Sequence, residues 1–333
     1  MTRFKTVALA AISSAALAAC GGASNSSRDA AWAVGSSTVY PFASAVAEEV
    51  TKGGVKAPKV EQNGTGAGLK LFCAGVGAAH PDIANASRRI KKSEFEDCQK
   101  NGVKDIAEIQ VGLDGIAFAE AKNGPGIALS PVDVYKALAA NPFGKPNTAK
   151  TWQDVNPALP ALPILVYGPP TTSGTRDALA ELILTKGCDS DPAMKALKEK
   201  DKDAHKKVCT EVREDGAYVD SGEEDNLIVQ KLAENPNAIG VFGFSFLEEN
   251  MDKLKGITID EVEPTYATIS DFSYPGARPL YIYVKAAHLK AIKGLKAFVE
   301  GFVPMWGKDG VLQGKGMVVA PDDVRAANAE VVR

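Results

Sequence analysis

The segment Ser173-Gly174-Thr175-Arg176 combines residue types that bind oxyanions. An apolar run over 164–167 precedes it and an apolar helical pattern follows it, which predicts a turn between a strand and a helix. Backbone N–H groups and the positive end of the helix dipole meet at such a turn, and the side chains add further donors. An ordinary helix N-cap would use the same Ser and Thr, so both interpretations stay open for this segment alone.

The same construction occurs near the start of the chain. A short predicted strand leads into Ser37, Thr38 and Val39, and Pro41 then occupies the first turn of a predicted helix. Hydroxyl groups therefore recur at a strand-to-helix junction, which favours an anion site built from several junctions.

A further junction is rich in glycine. The predicted strand 59–63 ends at the sequence GTGAG, which includes Thr65 and Gly66, and a predicted helix follows. The spacing differs from the GxGxxG of dinucleotide-binding proteins, and the GK[ST] of a P-loop is absent here. Glycines allow backbone amides to approach a small anion closely.

Another junction contains cations. A short predicted strand ends at Ser87 and Arg88, and a helix is predicted to open at Ser93, with Glu96 turning back to its start. Arg88 and Arg89 point to opposite faces of an extended chain, and we expect Arg88 to face the site. A solvated pair of arginines at a strand end is the alternative.

The N-terminus has the pattern of an export signal. Arg3 and Lys5 precede an apolar run that is too short to span a bilayer. The sequence Leu-Ala-Ala-Cys resembles a bacterial lipobox, which predicts removal of residues 1–19, acylation of Cys20 and a flexible tether over 20–30. A plain secretory signal that is cut nearby is the alternative.

Composition is that of an exported globular protein. Of the 333 residues, 45% are hydrophobic and 24% are charged. Removal of residues 1–19 takes the formal net charge from −3 to −5, which gives no general basic surface for nucleic acid.

The remaining cysteines form two local pairs, Cys73 with Cys98 and Cys188 with Cys209. Export to an oxidising compartment predicts that each pair is a structural disulfide. These cysteines form no CxxC and have no His at metal-ligand spacing, so no metal or cofactor is predicted.

Six segments, in this order, resemble the phosphate-binding protein of bacterial Pst-type ABC transporters: GSSTVYPF, GTGAG, DIANASR, VGLDGIAF, TSGTR and NAIGVFGFSFL. The resemblance implies an α/β type II periplasmic-binding-protein fold, with two discontinuous lobes that are joined by two crossing strands and close over one phosphate. The family's ligand positions correspond here to Ser37, Thr38, Val39, Thr65, Ser87, Ser173, Gly174 and Thr175.

The charged groups depart from the family pattern. The carboxylate that follows the Ser of the third loop is Arg88 here, and the Arg and Asp that precede Ser-Gly-Thr are replaced by Pro169 and Thr171. We therefore expect the cations of the site to be Arg88 and Arg176.

A proton acceptor is also needed, because phosphate near neutral pH carries a proton and sulfate does not. Asp114, in VGLDG, is the leading candidate, and Asp225 is the second. Asp114 could equally be a turn residue before Gly115.

The two lobes must be discontinuous for such a fold. We predict that the first lobe comprises 31–112 with 275–333 and the second 113–274, and that the crossing segments lie within 109–118 and 266–284.

The other predicted elements are peripheral or buried. Helices are expected over 131–140, 195–207 and 286–302, the last docking an amphipathic face on the first lobe, and a buried strand is expected within 236–247.

The sequence favours a receptor over an enzyme. GxSxG and HExxH are absent, and His205 and His288 are expected on exposed helix faces. The predicted protein is a monomer of the periplasm that binds inorganic phosphate and delivers it to ABC transporter permease subunits, with the membrane contacted only through a lipid anchor. A receptor for another oxyanion such as sulfate, an extracytoplasmic phosphatase, and a protein whose cleft is an interaction surface are the alternatives.

Overall fold

The computed structural model describes residues 28–171, 173–222 and 225–332. The predicted signal peptide and the predicted lipidation site, Cys20, lie outside these residues. Among the residues it describes, no helix is both long enough and apolar enough to cross a membrane.

Strands and helices alternate from Trp32 to Lys100. These elements are β1 (Trp32–Gly35), α1 (Tyr40–Lys52), β2 (Lys59–Gln62), α2 (Thr65–Phe72), β3 (Ile83–Ala86) and α3 (Lys92–Lys100). β1 pairs in parallel with both β2 and β3. The three junctions that follow these strands therefore lie at the same edge of the sheet, where parallel α/β sheets bind their ligands.

A long strand and a mainly helical region follow. The elements are β4 (Ile106–Ala121), α4 (Pro131–Leu138), α5 (Trp152–Val155), β5 (Val166–Gly168), α6 (Gly174–Ala178), α7 (Thr185–Cys188), α8 (Pro192–Lys200), α9 (Lys202–Thr210), β6 (Tyr218–Asp220), α10 (Asp225–Glu234), β7 (Ile239–Gly243), α11 (Phe244–Glu249), β8 (Leu254–Gly256) and α12 (Tyr266–Ser270). A π-helical stretch, Leu179–Leu184, makes α6 and α7 continuous, and Pro142–Gly144 is a 3₁₀ turn.

The chain then returns to the strands near its start, where its next strand pairs with β3 and β4. Its last elements are β9 (Ala277–Lys285), α13 (Ala286–Leu289), α14 (Leu295–Glu300), the 3₁₀ turn Gln313–Lys315 and α15 (Asp322–Val332).

β4 and β9 connect the two halves of the molecule. The strand order is β2-β1-β3-β9-β4-β7-β5-β6, with β8 on β4. β4 pairs with β9 along its first part and with β7 and β8 along its last part. We call the half that contains β1, β2 and β3 the first lobe and the half that contains β5 to β8 the second lobe; the boundaries at residues 112 and 274 stay a prediction.

Each lobe has its own buried core. In the first lobe, Phe298 and Phe302 from the C-terminal part of the chain pack with Val46 of α1. This is the lobe on which the sequence predicts that residues 286–302 dock. Trp152 and Phe242 lie in the core of the second lobe.

Two of the predicted helices are divided. The helix predicted over 195–207 is interrupted at Asp201, whose carboxylate accepts N–H bonds from Asp203 and Ala204 at the start of α9. The helix predicted over 286–302 is interrupted before Gly294, whose φ of 78° is left-handed and cannot continue a right-handed helix.

The start of α3 also differs from the prediction. The helix begins at Lys92, and Glu94, not Glu96, accepts a hydrogen bond of 2.8 Å from the N–H of Lys91. Glu94 lies two residues closer to the strand end, which brings its carboxylate near Arg88.

Both predicted disulfides are confirmed. Cys73 at the end of α2 is bonded to Cys98 in α3, and Cys188 in α7 is bonded to Cys209 in α9. Each joins two helices that lie side by side on the surface of one lobe.

Candidate functional site

A cavity of about 410 Å³ lies where the two lobes meet. Six of the predicted site residues line it: Ser37, Thr38, Asp114, Ser173, Gly174 and Thr175. Tyr40, Gln62, Lys315 and Gly316 also line it, and Lys315 is the one basic side chain of the lining. The cavity therefore combines hydroxyls, a carboxylate and a cation.

Thr38 and Gly174 hold the lobes in contact. The hydroxyl of Thr38 donates to the carbonyl of Gly174 over 3.2 Å. A Cβ atom on Gly174 would lie 2.5 Å from Cα of Thr38, so only glycine permits this approach. The hydroxyl of Ser37 also donates to the carboxylate of Asp177, again across the cleft.

Arg278 lies behind this contact, and the sequence analysis missed it. Its side chain is only 4% exposed. Nε donates to Asp114 over 2.9 Å, Nη1 to Glu181 over 2.7 Å, and Nη2 to the hydroxyl of Thr38 over 2.7 Å. The guanidinium thus joins β9, β4, the first lobe and the second lobe at one point.

The pKa of the Asp114 carboxyl is raised above its ordinary value, because the effect of burial exceeds the opposing effects of its partners. Burial raises the pKa of its carboxyl, while the charge of Arg278 and hydrogen bonds from Arg278 and the N–H of Gly115 lower it. The carboxylate lines the cavity and faces a cation, so it is not merely a turn residue.

Thr65 and Ser87 join two further junctions of the first lobe. The hydroxyl of Thr65 accepts a hydrogen bond of 3.1 Å from the N–H of Ser87, and the two hydroxyl oxygens are 3.0 Å apart. Both residues are buried. They are not among the residues that line the cavity.

Arg88 is held by a carboxylate of its own lobe. Its two Nη atoms donate to Glu94 over 2.7 and 2.9 Å. These hydrogen bonds raise the pKa of Arg88; burial opposes the shift, and the charges of Glu94 and Glu181 add to it. A Cβ atom on Gly66 would lie 3.8 Å from the Arg88 guanidinium, so the second and third junctions meet at this cation.

Arg176 is placed differently from the expectation. Its guanidinium carbon lies 4.4 Å from the centre of the Tyr218 ring, and the residue is not part of the cavity lining. The hydroxyl of Tyr218 donates to the carbonyl of Pro169 over 2.6 Å. Arg176 therefore supports the loop before α6. Arg278 does not line the cavity either, but it donates hydrogen bonds to Asp114 and Thr38, which do.

Residues 22–303 match the family model described as the PBP superfamily domain. The chain belongs to the PBP superfamily. Among its relatives, the phosphate-binding protein PstS of Staphylococcus saprophyticus is 32% identical over 96% of this chain and 89% of its own length. Protein SphX of Synechococcus elongatus is 34% identical over 82% of this chain and 73% of its own length.

Solved structures of PBP-superfamily members agree with the fold. A possible phosphate binding protein from Planctomyces limnophilus has a TM-score of 0.73 and 28% identity, with 92% of this chain and 98% of that one covered. A putative phosphate ABC transporter substrate-binding protein from Clostridium perfringens, solved with bound phosphate, has a TM-score of 0.53 and 22% identity over 88% of this chain and 100% of its own. The expected type II periplasmic-binding-protein fold is confirmed.

Glycines of this PBP chain have more than one use. A Cβ atom on Gly68 would lie 2.3 Å from Cα of Gly35, so this glycine lets α2 pack directly on β1. Gly64 has a φ of 81° and turns the chain into α2. Close packing therefore explains part of the GTGAG pattern without an anion.

Arg278, Glu181 and Lys315 are not among the site residues that the sequence predicts, and they lie far apart from one another in the chain. Asp114 and Arg278 are opposite each other in the β4–β9 register, but each strand is recognisable alone while the register is not. Glu181 is an ordinary polar position of a helical pattern, and Lys315 lies in a 3₁₀ turn. The side chain of Asp225, the second candidate for the proton acceptor, lies outside the described part of the structure.

Two histidines predicted on exposed faces are buried instead. His288 Nδ1 is paired with the buried Asp82 over 2.7 Å, and its Nε2 accepts the N–H of Gly77 over 2.8 Å. His205 Nε2 lies 2.7 Å from Asp189. His205 also lies beside the sulfurs of the Cys188–Cys209 pair, which are bonded to each other and so do not form thiolate ligands for a metal.

Proposed function

We propose that this PBP-superfamily chain is an extracytoplasmic receptor that binds inorganic phosphate between its lobes and delivers it to the permease subunits of an ABC transporter. The proposal rests on the cavity between the lobes. Hydroxyls of two strand-to-helix junctions line this cavity, and one of them, that of Thr38, accepts a hydrogen bond from the buried guanidinium of Arg278. The choice of phosphate as the anion rests on the names of the relatives, above all the phosphate-binding protein PstS.

The proposed site extends the predicted one by two cations. Its neutral donors are the hydroxyl or N–H groups of Ser37, Thr38, Val39, Thr65, Gly66, Ser87, Ser173, Gly174 and Thr175. Arg278 supplies a charge behind Thr38 and Asp114 of the cavity wall, and Lys315 attracts the anion from its exposed position in the lining. Arg88 and Arg176 act around this centre, Arg88 at the second and third junctions and Arg176 through the loop before α6.

The proposed site has the charged and neutral donors that tight anion binding requires. A micromolar dissociation constant corresponds to about 8 kcal/mol. Charge-assisted hydrogen bonds from arginine are about twice as strong as neutral ones, and the side chain of Arg278 is only 4% exposed to water. Closure of the lobes and ordering of side chains reduce the net gain.

Asp114 is the proposed acceptor for the proton of phosphate. It is the one carboxylate in the cavity lining. An ionised carboxylate accepts a hydrogen bond from a protonated phosphate oxygen and repels a fully ionised sulfate. This arrangement would select phosphate through a repulsive contact with its competitor.

The proposal includes the location of the receptor. Residues 1–19 direct export, and Cys20 anchors a monomeric receptor to the membrane through an attached lipid. The two disulfides are consistent with an oxidising compartment. No enzymatic activity is proposed.

Calorimetric titration of the processed chain with phosphate and then with sulfate, at physiological salt, tests the proposal. We expect micromolar or tighter binding of phosphate and no heat from sulfate. Equal binding of both anions would make the protein a general oxyanion receptor. Binding of neither would contradict the proposal and leave the cleft as an interaction surface.

A further inference from the structure

Arg278 has three partners that differ in how easily they can move. Asp114, on Nε, is 13% exposed and belongs to β4. Thr38, on Nη2, is buried beneath the contact with Gly174. Glu181, on Nη1, has a side chain that is 55% exposed, so it can leave the guanidinium for water without disturbing a packed element.

The charges at this point do not balance. One guanidinium faces two carboxylates, Asp114 and Glu181, at hydrogen-bonding distance. The charge of Glu181 also contributes to the raised pKa of Arg88, so this carboxylate acts on Arg88 as well as on Arg278. An anion that approaches either cation is repelled by Glu181.

We propose that Glu181 is an internal competitor of the bound anion: it occupies Nη1 of Arg278 and is displaced when phosphate enters the cleft. The proposal rests on the proposed function and adds the residue that sets its affinity. Nη1 is the donor of Arg278 that becomes free, because the contacts to Asp114 and Thr38 are held by packed elements. The carboxylate of Glu181 takes the place of one oxygen of the anion, since carboxylate and phosphate oxygens both accept charge-assisted hydrogen bonds from a guanidinium.

Removing a competitor of the anion changes the affinity in the opposite direction from removing a residue that binds the anion. Removal of its charge makes binding tighter, because the anion no longer displaces a carboxylate and no longer meets its repulsion. A residue that binds the anion, or that stabilises the bound arrangement of the lobes, would weaken binding when it is removed. The direction of the change therefore separates these roles.

The experiment compares the wild-type chain with Glu181→Gln and with a control, Glu234→Gln, by calorimetric titration with inorganic phosphate. Glu234 is an exposed carboxylate of the same lobe, on α10, so its variant has the same change of net charge away from the cleft. We expect Glu181→Gln to bind phosphate about three- to tenfold more tightly than both other proteins, as displacing an exposed ion pair and its charge would allow.

Two results would overturn the inference. If wild type binds phosphate and Glu181→Gln binds it as Glu234→Gln does, or more weakly, Glu181 is not a competitor, although the proposed function stands. If wild type binds no phosphate, the proposed function fails and the inference fails with it. Thermal unfolding of the three proteins is measured alongside, and equal midpoints exclude a change in folding as the source of any difference.

Discussion

Asp114 and Arg278 are directly opposite each other on the two strands that connect the lobes, with Oδ2 of Asp114 2.9 Å from Nε of Arg278. Arg278 reaches from this pair to Thr38 in the first lobe and to Glu181 in the second. The guanidinium therefore senses the relative position of the lobes, because a change in the angle between them must alter at least one of these contacts. Arg278 is therefore the side chain through which we expect phosphate binding and lobe movement to be linked.

We expect Arg278 to matter more for phosphate binding than Arg176. Arg278→Gln should weaken binding about 10- to 100-fold, since a hydrogen bond to a charged group is worth about 1.5–3 kcal/mol. Arg176→Ala should weaken it only a few-fold, because Arg176 lies over the ring of Tyr218, whereas Arg278 donates to Thr38 and Asp114 of the cavity lining. Titration calorimetry on both variants measures the difference.

Arg278→Gln leaves the carboxylate of Asp114 buried without its cation, and breaking a buried pair costs about 3–5 kcal/mol of stability. The double variant Arg278→Gln with Asp114→Asn removes both charges and serves as the stable control. A larger loss of affinity in Arg176→Ala than in this double variant would assign the main cation to Arg176.

Asp114→Asn should reduce the preference for phosphate over sulfate. The amide still accepts a hydrogen bond from a protonated oxygen, but it no longer repels sulfate and can donate to it. We expect the ratio of the two dissociation constants to fall at least about tenfold, mainly through the appearance of sulfate binding. Competition titration with both anions gives this ratio.

The control for this variant is Asp177→Asn. Asp177 is a second carboxylate of the cleft, but it accepts a hydrogen bond from the hydroxyl of Ser37 and does not line the cavity. Equal changes of selectivity in the two variants would show a general charge effect and contradict the role of Asp114.

The local parts of the site could be predicted from the sequence. Ser37, Thr38 and Gly174 lie at strand-to-helix junctions because strand and helix periodicity, together with glycine and hydroxyl residues, are local signals. Parallel pairing then brings the ends of β1, β2 and β3 to one edge without further information.

The charged parts could not be predicted in the same way. The partner of Asp114 depends on the register of β4 with β9, and a shift by one residue would place a different side chain opposite it. Arg88 has a carboxylate partner, Glu94, because α3 begins one residue earlier than expected. Burial of His288 follows from its pairing with Asp82, which is distant in sequence.

Gly174→Ala should prevent close contact of the lobes. The new methyl group would lie 2.5 Å from Cα and 2.8 Å from the backbone nitrogen of Thr38, and neither atom can move without its helix. Alanine suits the start of a helix, so the free energy of unfolding should change by less than about 1 kcal/mol. Phosphate affinity should fall at least about tenfold, and small-angle scattering should show a smaller compaction on addition of phosphate than in wild type.

Gly314→Ala is the matched control for this substitution. A Cβ atom at Gly314 meets no atom within 4 Å, and this residue does not line the cavity. The prediction would be contradicted if both variants lost phosphate affinity or if Gly174→Ala kept the affinity of wild type. Either result would show that phosphate binding does not depend on the contact between Thr38 and Gly174.

Because of Lys285, we expect the free energy of unfolding to increase as the pH rises into the alkaline range. This lysine is buried, donates to the carbonyl of Gly75 over 2.5 Å and lies 4.8 Å from the centre of the Phe72 ring. Burial lowers its pKa from 10.5 to about 8. Between these values the unfolded chain keeps a proton that the folded chain has released, so raising the pH favours the folded state.

The expected gain from this residue is of order 3 kcal/mol across that window, because one unit of pKa corresponds to about 1.4 kcal/mol. Lys285→Met lacks the titrating group, so the free energy of unfolding of wild type minus that of the variant should increase from pH 7 to pH 10 in urea titrations. Lys296→Met, at an exposed position, is measured in the same way as the matched control. A constant difference for Lys285→Met would mean that Lys285 keeps its proton in the folded state, with the carbonyl of Gly75 and the ring of Phe72 compensating for its burial.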